Sequence, residues 1–131
     1  MRIPHSYDVV GDILILNEKA TRKQADSLLK LLKNIKTVLK KKGIHKGKYR
    51  TQKLSFLAGR KEKETIHKES GCVFKLDVEK CYFSSRLGSE RLRIAKQVKL
   101  NEKILVMFSG VGVYPIIISK NSKAEEIYGI E

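Results

Sequence analysis

At 131 residues the chain is long enough for one domain, or for a small domain with part of another, and its hydrophobic content of 41% excludes wholesale disorder. The net charge of +14 is concentrated between Lys19 and Lys53, where thirteen Lys and Arg residues accompany a single acid. This asymmetry indicates a nucleic acid or another anionic partner, although a solvated basic helix has the same composition.

The first predicted elements are short strands and a long helix. Tyr7–Leu16 alternates apolar and polar residues about Gly11-Asp12, which predicts two strands or one strand with a bulge. Thr21 is a suitable N-cap for a helix over the next twenty residues. The apolar stripe of this helix consists of Ala25, Leu28, Leu29, Leu32, Ile35 and Leu39. Lys40-Lys41-Lys42-Gly43 is typical of a helix C-terminus.

A basic loop and three strands follow the helix. His45–Lys53 is predicted to be the loop. Lys53–Ala58 and Glu64–Glu69 are predicted to pair as strands across the turn at Gly59-Arg60. Cys72–Val78 alternates in the same way and predicts a third strand. This part of the chain is therefore expected to be a basic α+β module.

The last third of the chain indicates an α/β unit. Ser89 is predicted to cap a helix that ends at Val98. A buried strand from Ile104 runs into Gly110-Val111-Gly112, a helical stretch follows, and a second strand ends at Glu131. This β-α-β order is that of the first nucleotide-binding unit of a Rossmann-like fold, with an acid where a ribose is usually held. A tight strand-to-helix turn without a ligand is the plainer alternative.

We therefore predict an α/β protein in three segments: a basic α+β RNA-binding module at 1–78, a connector at 79–88, and the start of a Rossmann-like domain at 89–131. Because a two-stranded half-sheet cannot close a pocket, we expect the chain to be incomplete. A C-terminal half would then be missing or separately encoded.

Neither a metal site nor a membrane segment is predicted. Cys72 and Cys81 lack CxxC spacing and the three histidines are scattered, so two reduced thiols are expected. Pro4, His5 and Asp8 interrupt any apolar stretch of a signal peptide. No apolar run approaches the roughly 20 residues that span a bilayer. We expect a cytoplasmic protein.

Three blocks of sequence resemble the archaeal/eukaryotic-type tRNA (guanine-37-N1)-methyltransferases, and together they extend over nearly the whole chain. Ser6-Tyr7-Asp8-Val9-Val10-Gly11-Asp12-Ile13 is similar to the start of the family's middle domain. Thr65–Phe74 leads to Tyr82-Phe83-Ser84-Ser85-Arg86-Leu87-Gly88-Ser89-Glu90-Arg91, which is similar to Y-F-S-P-R-L-x-x-E-R. Met107-Phe108-Ser109-Gly110-Val111-Gly112 matches M-F-A-G-V-G. The chain departs from the family by Ser85 and by the absence of the small N-terminal domain and of the Asn-Pro-Pro or Asn-Leu-Pro motif.

The resemblance implies transfer of a methyl group from S-adenosyl-L-methionine (AdoMet) to N1 of guanine 37 in tRNA. It implies that Glu90 accepts the N1 proton and that Arg50 steadies the base oxygen. The residues implied in cofactor binding are Tyr82, Phe108, Gly110, Gly112 and Glu131. Those expected to contact RNA are Arg86, Arg91, Lys48 and Lys46.

Other interpretations stay open. Glu90 would complement the macrodipole of any helix whose first turn it occupies, and Arg50 is one cation among many. The chain could be a non-catalytic RNA-binding module, or half of a split enzyme that is inactive alone. It could also be a relative of the wybutosine-pathway aminocarboxypropyl transferases. These tend to have Gly-Asn in place of Arg86-Leu87, which favours the methyltransferases.

Overall fold

A computed structural model describes residues 6–131, which form two compact units. The first unit extends to His67 and includes Lys75–Ser85, whereas the second comprises Lys68–Phe74 and Arg86–Glu131. Pro4 and His5, which bear on the signal-peptide prediction, lie outside the described residues. None of the helices in the described part of the chain is both long and apolar enough to cross a membrane.

The first unit contains a four-stranded sheet. Its strands are β1 (Tyr7–Val10), β2 (Ile13–Leu16), β3 (Thr37–Lys46) and β4 (Thr51–Gly59), in the order β1-β2-β3-β4. β1 and β2 are antiparallel, with Val10 opposite Ile13 across the Gly11-Asp12 turn, so of the two predicted alternatives the structure has two short strands and not one bulged strand. β2 and β3 are parallel, and β3 and β4 are antiparallel.

Helix α1 (Arg22–Leu31) connects the parallel strands β2 and β3. Thr21 is its N-cap, as predicted, and forms a capping box with Gln24: Gln24 N–H donates to Thr21 Oγ1, and Thr21 N–H donates to Gln24 Oε1. Leu28 packs in the main hydrophobic core. This core consists of Leu14, Leu16, Ala20, Ala25, Leu28, Ile35, Val38 and Ala58.

The predicted extension of α1 to Gly43 is wrong. The helix ends at Leu31, and the amides of Lys36 and Thr37 both donate to the carbonyl of Asp12, at 2.9 and 3.3 Å. These bonds bring the following residues beside β2, and Thr37–Lys46 becomes a strand. Apolar residues at helical spacing also fit the buried start of a strand, and the β-branched pair Thr37-Val38 favours the strand.

The predicted strands occur in the next segment, but their pairing differs. β4 pairs with β3 instead of β5, so the predicted basic loop shortens to the turn at 47–50, at the tip of a long hairpin. β5 (Glu64–Glu69) pairs with β6 (Cys72–Asp77) across the turn at Ser70-Gly71. The predicted alternation of β6 is confirmed, because Cys72, Phe74 and Leu76 are its buried residues.

The second unit contains the β-α-β element. A 3-10 turn (Ser85–Leu87) leads into α2 (Gly88–Gln97), followed by β7 (Lys103–Met107), α3 (Val113–Asn121) and β8 (Glu126–Ile130). β7 and β8 are parallel neighbours, so the predicted Rossmann-like order is confirmed.

Two details of the second unit contradict the sequence analysis. α2 begins at Gly88 with Leu87 as its N-cap and without a side-chain cap, so Ser89 is not the cap. β7 is not a fully buried strand, because Leu105 and Met107 on one of its faces are 56% and 62% exposed.

The tip of the β5–β6 hairpin belongs to the second unit, although the predicted division assigned it to the basic module. Its contacts explain this grouping. Asn121 Nδ2 donates to the carbonyl of Ser70 at 2.9 Å, and Cys72 Sγ lies 3.8 Å from the carbonyl of Ile116. Both contacts join residues of the hairpin tip to α3, at separations of more than 40 residues along the chain.

Candidate active site

The glycine turn follows β7 and begins α3. Phe108, Gly110 and Gly112 all have positive φ, and Gly112 is the N-cap of α3 with φ of 80°. Only glycine adopts this region freely, so the two glycines are required by the backbone path. A Cβ on Gly110 would meet no atom within 4 Å, which leaves open space over the turn. The ring of Phe108 is exposed beside it.

The acid that follows β8 lies against this turn. Glu131 Oε2 accepts a hydrogen bond from Gly110 N–H at 2.8 Å, and Ser109 N–H donates to the carbonyl of Ile130 at 3.0 Å. Ligands of α/β folds bind outside the carboxyl ends of parallel strands. The structure therefore brings together four of the five predicted cofactor residues, Phe108, Gly110, Gly112 and Glu131, at that end of β7 and β8.

Glu90 lies in the first turn of α2 and is held by a neighbour that the sequence analysis did not consider. Arg93 Nε donates to Glu90 Oε2 at 2.7 Å, and Arg93 Nη2 donates to Glu90 Oε1 at 2.6 Å. The hydrogen bonds from Arg93 are the largest cause of a pKa of Glu90 below its usual value; desolvation opposes them, and the positive charge of Arg93 adds to the lowering. The spacing of three residues within a helix was a signal for this pair.

Arg50 lies at the tip of the β3–β4 hairpin, in the first unit. Its φ is 52°, a left-handed conformation that is uncommon for non-glycine residues and often marks functional sites. Its carbonyl lies 2.8 Å from His45 Nδ1, and its guanidinium is exposed. Lys46 and Lys48 are exposed on the same tip, so the structure brings these three predicted residues together.

Tyr82 is the fifth predicted cofactor residue, and it belongs to the first unit. Its ring is 49% exposed and makes an edge contact with His45, with the ring centroids 5.6 Å apart. His45 thus contacts both Tyr82 and the carbonyl of Arg50. Sequence analysis missed these contacts of His45, because 37 residues separate it from Tyr82.

The two remaining arginines differ from each other. Arg86 is exposed in the 3-10 turn, where an RNA contact is feasible. Arg91 is 3% exposed and makes a bidentate ion pair with Glu69, which contradicts its expected RNA contact. A guanidinium buried in this way has no surface for a phosphate, so we assign Arg91 a structural role.

A strand, a glycine turn, a helix and a parallel strand followed by an acid define a Rossmann-like nucleotide-binding class. The protein-family model of the TRM5/TYW2 methyltransferase domain matches residues 65–131 of the sequence. The family model of the TYW2 N-terminal domain matches residues 1–63. The chain therefore belongs to the TRM5/TYW2 methyltransferase family, as the resemblance predicted.

Two curated relatives represent the branches of this family. The tRNA (guanine(37)-N(1))-methyltransferase Trm5b of Methanocaldococcus jannaschii is 44% identical over an alignment of 131 positions that covers 96% of this chain and 38% of that protein. The tRNA(Phe) (4-demethylwyosine(37)-C(7)) aminocarboxypropyltransferase of the same organism is 38% identical over 125 residues, with 95% and 49% covered.

Solved structures agree with this assignment. The complex of aTrm5 with tRNALeu gives a TM-score of 0.86 at 42% identity and covers 98% of this chain and 39% of that one. Pyrococcus horikoshii TYW2 in complex with MeSAdo gives a TM-score of 0.71 at 33% identity, with 98% and 46% covered. The chain thus spans between 38% and 49% of the length of these relatives.

Proposed function

We propose that the protein is a cytoplasmic, AdoMet-dependent tRNA methyltransferase that acts on N1 of guanine 37, next to the anticodon. The observation that carries the proposal is the hydrogen bond between Gly110 N–H and the Glu131 carboxylate, which joins a glycine turn and an acid at the carboxyl ends of parallel strands. The substrate is inferred from the relative that is 44% identical.

The cofactor site fits a nucleoside ligand. Glu131 offers carboxylate oxygens to ribose hydroxyls, and the open space over Gly110 allows close approach of a ligand to the backbone. Phe108 presents an exposed ring at the same turn. AdoMet bound there would supply an electrophilic methyl group. We keep Tyr82 as a contributor to this site by resemblance alone.

The reaction requires the N1 proton to leave as N1 attacks the methyl group. The Glu90 carboxylate accepts that proton, and the Arg50 guanidinium stabilises the negative charge that develops on O6. The lowered pKa of Glu90 makes its carboxylate a weaker base than an unpaired glutamate. We therefore expect Arg93 to leave Glu90 when the guanine binds.

Lys46, Lys48 and Arg86 contribute phosphate contacts. The tip of the β3–β4 hairpin carries exposed cations and the exposed ring of Tyr49, which is typical of an RNA-binding surface. We propose that the segment predicted as a basic module binds tRNA and that 89–131 begins the methyltransferase domain. Binding through phosphates makes the affinity fall steeply with salt.

The test is methyl transfer by the full-length protein encoded by the gene. The assay uses methyl-labelled AdoMet and unmodified tRNA with guanine or adenine at position 37. We expect transfer to the guanine form alone. Glu90→Gln and Arg50→Ala should each lower the rate by about 10²-fold or more, whereas Glu64→Gln, an exposed acid on β5, should not. Equal transfer to both tRNAs, or a fully active Glu90→Gln variant, would contradict the proposal.

Aminocarboxypropyl transfer is the second candidate, because the TYW2 N-terminal domain model matches residues 1–63. That reaction breaks a different bond to sulfur and leaves methylthioadenosine, whereas methyl transfer leaves S-adenosylhomocysteine. The two are separated by labelling AdoMet either in the methyl group or in the carboxyl carbon. Label from the carboxyl carbon in the tRNA would favour the second candidate.

A further inference from the structure

Glu69 and Arg91 form a buried ion pair next to the candidate proton acceptor. Arg91 Nε donates to Glu69 Oε2 at 2.6 Å, and Arg91 Nη2 donates to Glu69 Oε1 at 2.7 Å. The two side chains are only 3% and 9% exposed. Because desolvation offsets much of the attraction in a buried pair, fixing a geometry is a better reason for this pair than stability alone.

Arg91, in the first turn of α2, contacts residues of two other elements. Glu69 ends β5, Arg91 follows Glu90 in the first turn of α2, and the Arg91 guanidinium carbon lies 5.8 Å from the ring centroid of Tyr114 in α3. Tyr114 is two residues beyond Gly112, the N-cap of α3. The ion pair therefore connects the helix that carries Glu90 to the helix that begins at the glycine turn.

The carboxylate of Glu69 fits closely against the start of α2. A Cβ added to Gly88 would lie 3.1 Å from Glu69 Oε1, so the glycine leaves room for the acid. The hairpin tip that carries Glu69 is also fastened to α3 by the bond from Asn121 to the carbonyl of Ser70. The backbone next to Glu69 is consequently held against α3.

We propose that Glu69 is a positioning residue which, through Arg91, holds the first turn of α2 and its Glu90 in a fixed place relative to the Gly110–Gly112 turn. The inference rests on the proposed roles of Glu90 and the glycine turn. Since Glu69 and Arg91 are buried, they act through Glu90 and Tyr114 and do not contact the reacting atoms.

The expected effect is on the chemical step. A displacement of about 1 Å can cost about 10²-fold in rate when reacting groups must be aligned. Glu69→Gln removes the charge, and Arg91→Lys removes the planar fork that makes the pair bidentate. Each variant should lower the single-turnover rate of the full-length protein by about 10- to 100-fold at saturating tRNA and AdoMet, with the KM for tRNA changed less than about twofold.

Glu64→Gln is the matched control. Glu64 lies on the same strand as Glu69, but it is exposed and its carboxylate is 3.8 Å from Lys75 Nζ. This variant should keep the wild-type rate. A rate in Glu69→Gln and Arg91→Lys equal to that of Glu64→Gln would overturn the proposal.

Hydrogen exchange gives a readout that does not depend on activity. The amide of Ile116 donates to the carbonyl of Gly112 at 3.0 Å in the first turn of α3. Glu69→Gln should accelerate its exchange by about 10-fold or more, while the amides of Leu14 and Val38 in the first unit keep their protection. If Glu69→Gln loses protection throughout, Arg91→Lys carries the test.

The outcomes separate the two proposals. A wild-type protein without methyl transfer refutes the proposed function, and faster exchange at Ile116 in the variants would still support the connection between Glu69 and α3. An active wild type with slow variants and faster exchange supports the positioning role. Faster exchange without a rate change, or a rate change without faster exchange, contradicts it.

Discussion

The two units bury their apolar residues to different extents. In the first, all four residues of β2 are buried, and Ala25 and Leu28 of α1 pack in one core with Leu14 and Leu16. In the second, β7 and β8 leave four large apolar side chains more than half exposed: Leu105, Met107, Tyr128 and Ile130. Parallel sheets are normally covered on both faces. The first sheet therefore has a strand that is buried on both faces, whereas the second presents an apolar face to solvent.

Two acidic residues, one in each unit, also differ in how far they are exposed and in what they bind. Glu79 in the first unit accepts hydrogen bonds at 2.8 Å from both the Leu54 amide and Lys63 Nζ, and so ties three segments together. Glu90 in the second unit is paired with Arg93 at the surface, with both side chains more than 40% exposed. Glu79 is held by hydrogen bonds between segments of the fold, while Glu90 is accessible at the surface.

The largest effect is expected from the core of the first unit. Leu28→Ala removes a side chain that is 2% exposed and should lower the free energy of unfolding by about 2–5 kcal/mol. The matched control is Leu105→Ala on β7, which should change it by less than about 0.5 kcal/mol because Leu105 is 56% exposed. Urea unfolding followed by circular dichroism measures both variants. Equal losses of unfolding free energy would contradict the difference in burial between the two units.

The next largest effect is expected from Glu79. Burial would raise its pKa, but the hydrogen bonds from Lys63 and the Leu54 amide outweigh burial and lower the pKa below the usual 4.5. Glu79→Ala should cost about 1–3 kcal/mol at pH 7, since it leaves a backbone donor without its partner. Glu64→Ala, which removes an exposed acid, should cost less than about 0.5 kcal/mol.

The pH dependence of this effect has a defined sign. Because the folded state lowers the pKa of Glu79, the unfolded state binds more protons near that pKa, and the stabilisation is present above 4.5. It is lost as the pH falls through the folded pKa. The difference between wild type and Glu79→Ala should therefore shrink when unfolding is repeated at increasingly acidic pH, and a constant difference would exclude ionised Glu79 as the cause.

A smaller effect is expected at the start of α1. Thr21→Ala removes the capping box with Gln24 and should cost about 1 kcal/mol. Ser27→Ala is the control, because Ser27 Oγ donates to the carbonyl of Lys23 within the exposed face of the helix and caps nothing. Thermal unfolding should separate the two variants, and equal melting temperatures would show that the box contributes no stability.

Local signals in the sequence were sufficient for some elements. The Thr21 cap, the Gly11-Asp12 turn and the alternation of β6 depend on residues close in the chain, and each was predicted correctly. The end of α1 depends on the carbonyl of Asp12, which accepts bonds from Lys36 and Thr37 and lies more than 20 residues away. The spacing of apolar residues along α1 does not reveal these long-range hydrogen bonds.

The candidate site shows the same division. The glycine turn and Glu131 belong to one β-α-β unit, so their proximity followed from its order. The pair of Glu69 and Arg91 joins residues 22 apart across a hairpin, and the motif alone suggested an RNA contact for Arg91. Burial decides between the two roles, and burial depends on the folded hairpin tip.

The smallest effect on stability, and the one closest to function, is expected from Arg93. Its ion pair with Glu90 is exposed, so Arg93→Gln should leave the unfolding midpoint close to that of the wild type. The variant removes the main cause of the lowered pKa of Glu90, so that pKa should rise toward its usual value. In the proposed reaction only ionised Glu90 accepts the N1 proton, so the acidic limb of the kcat/KM pH profile, which reports the free protein in which Arg93 still holds Glu90, should move to higher pH. Lys96→Gln removes an equal charge from the last turn of α2 and should leave the limb in place. An unmoved limb in Arg93→Gln would mean that a group other than Glu90 accepts the proton.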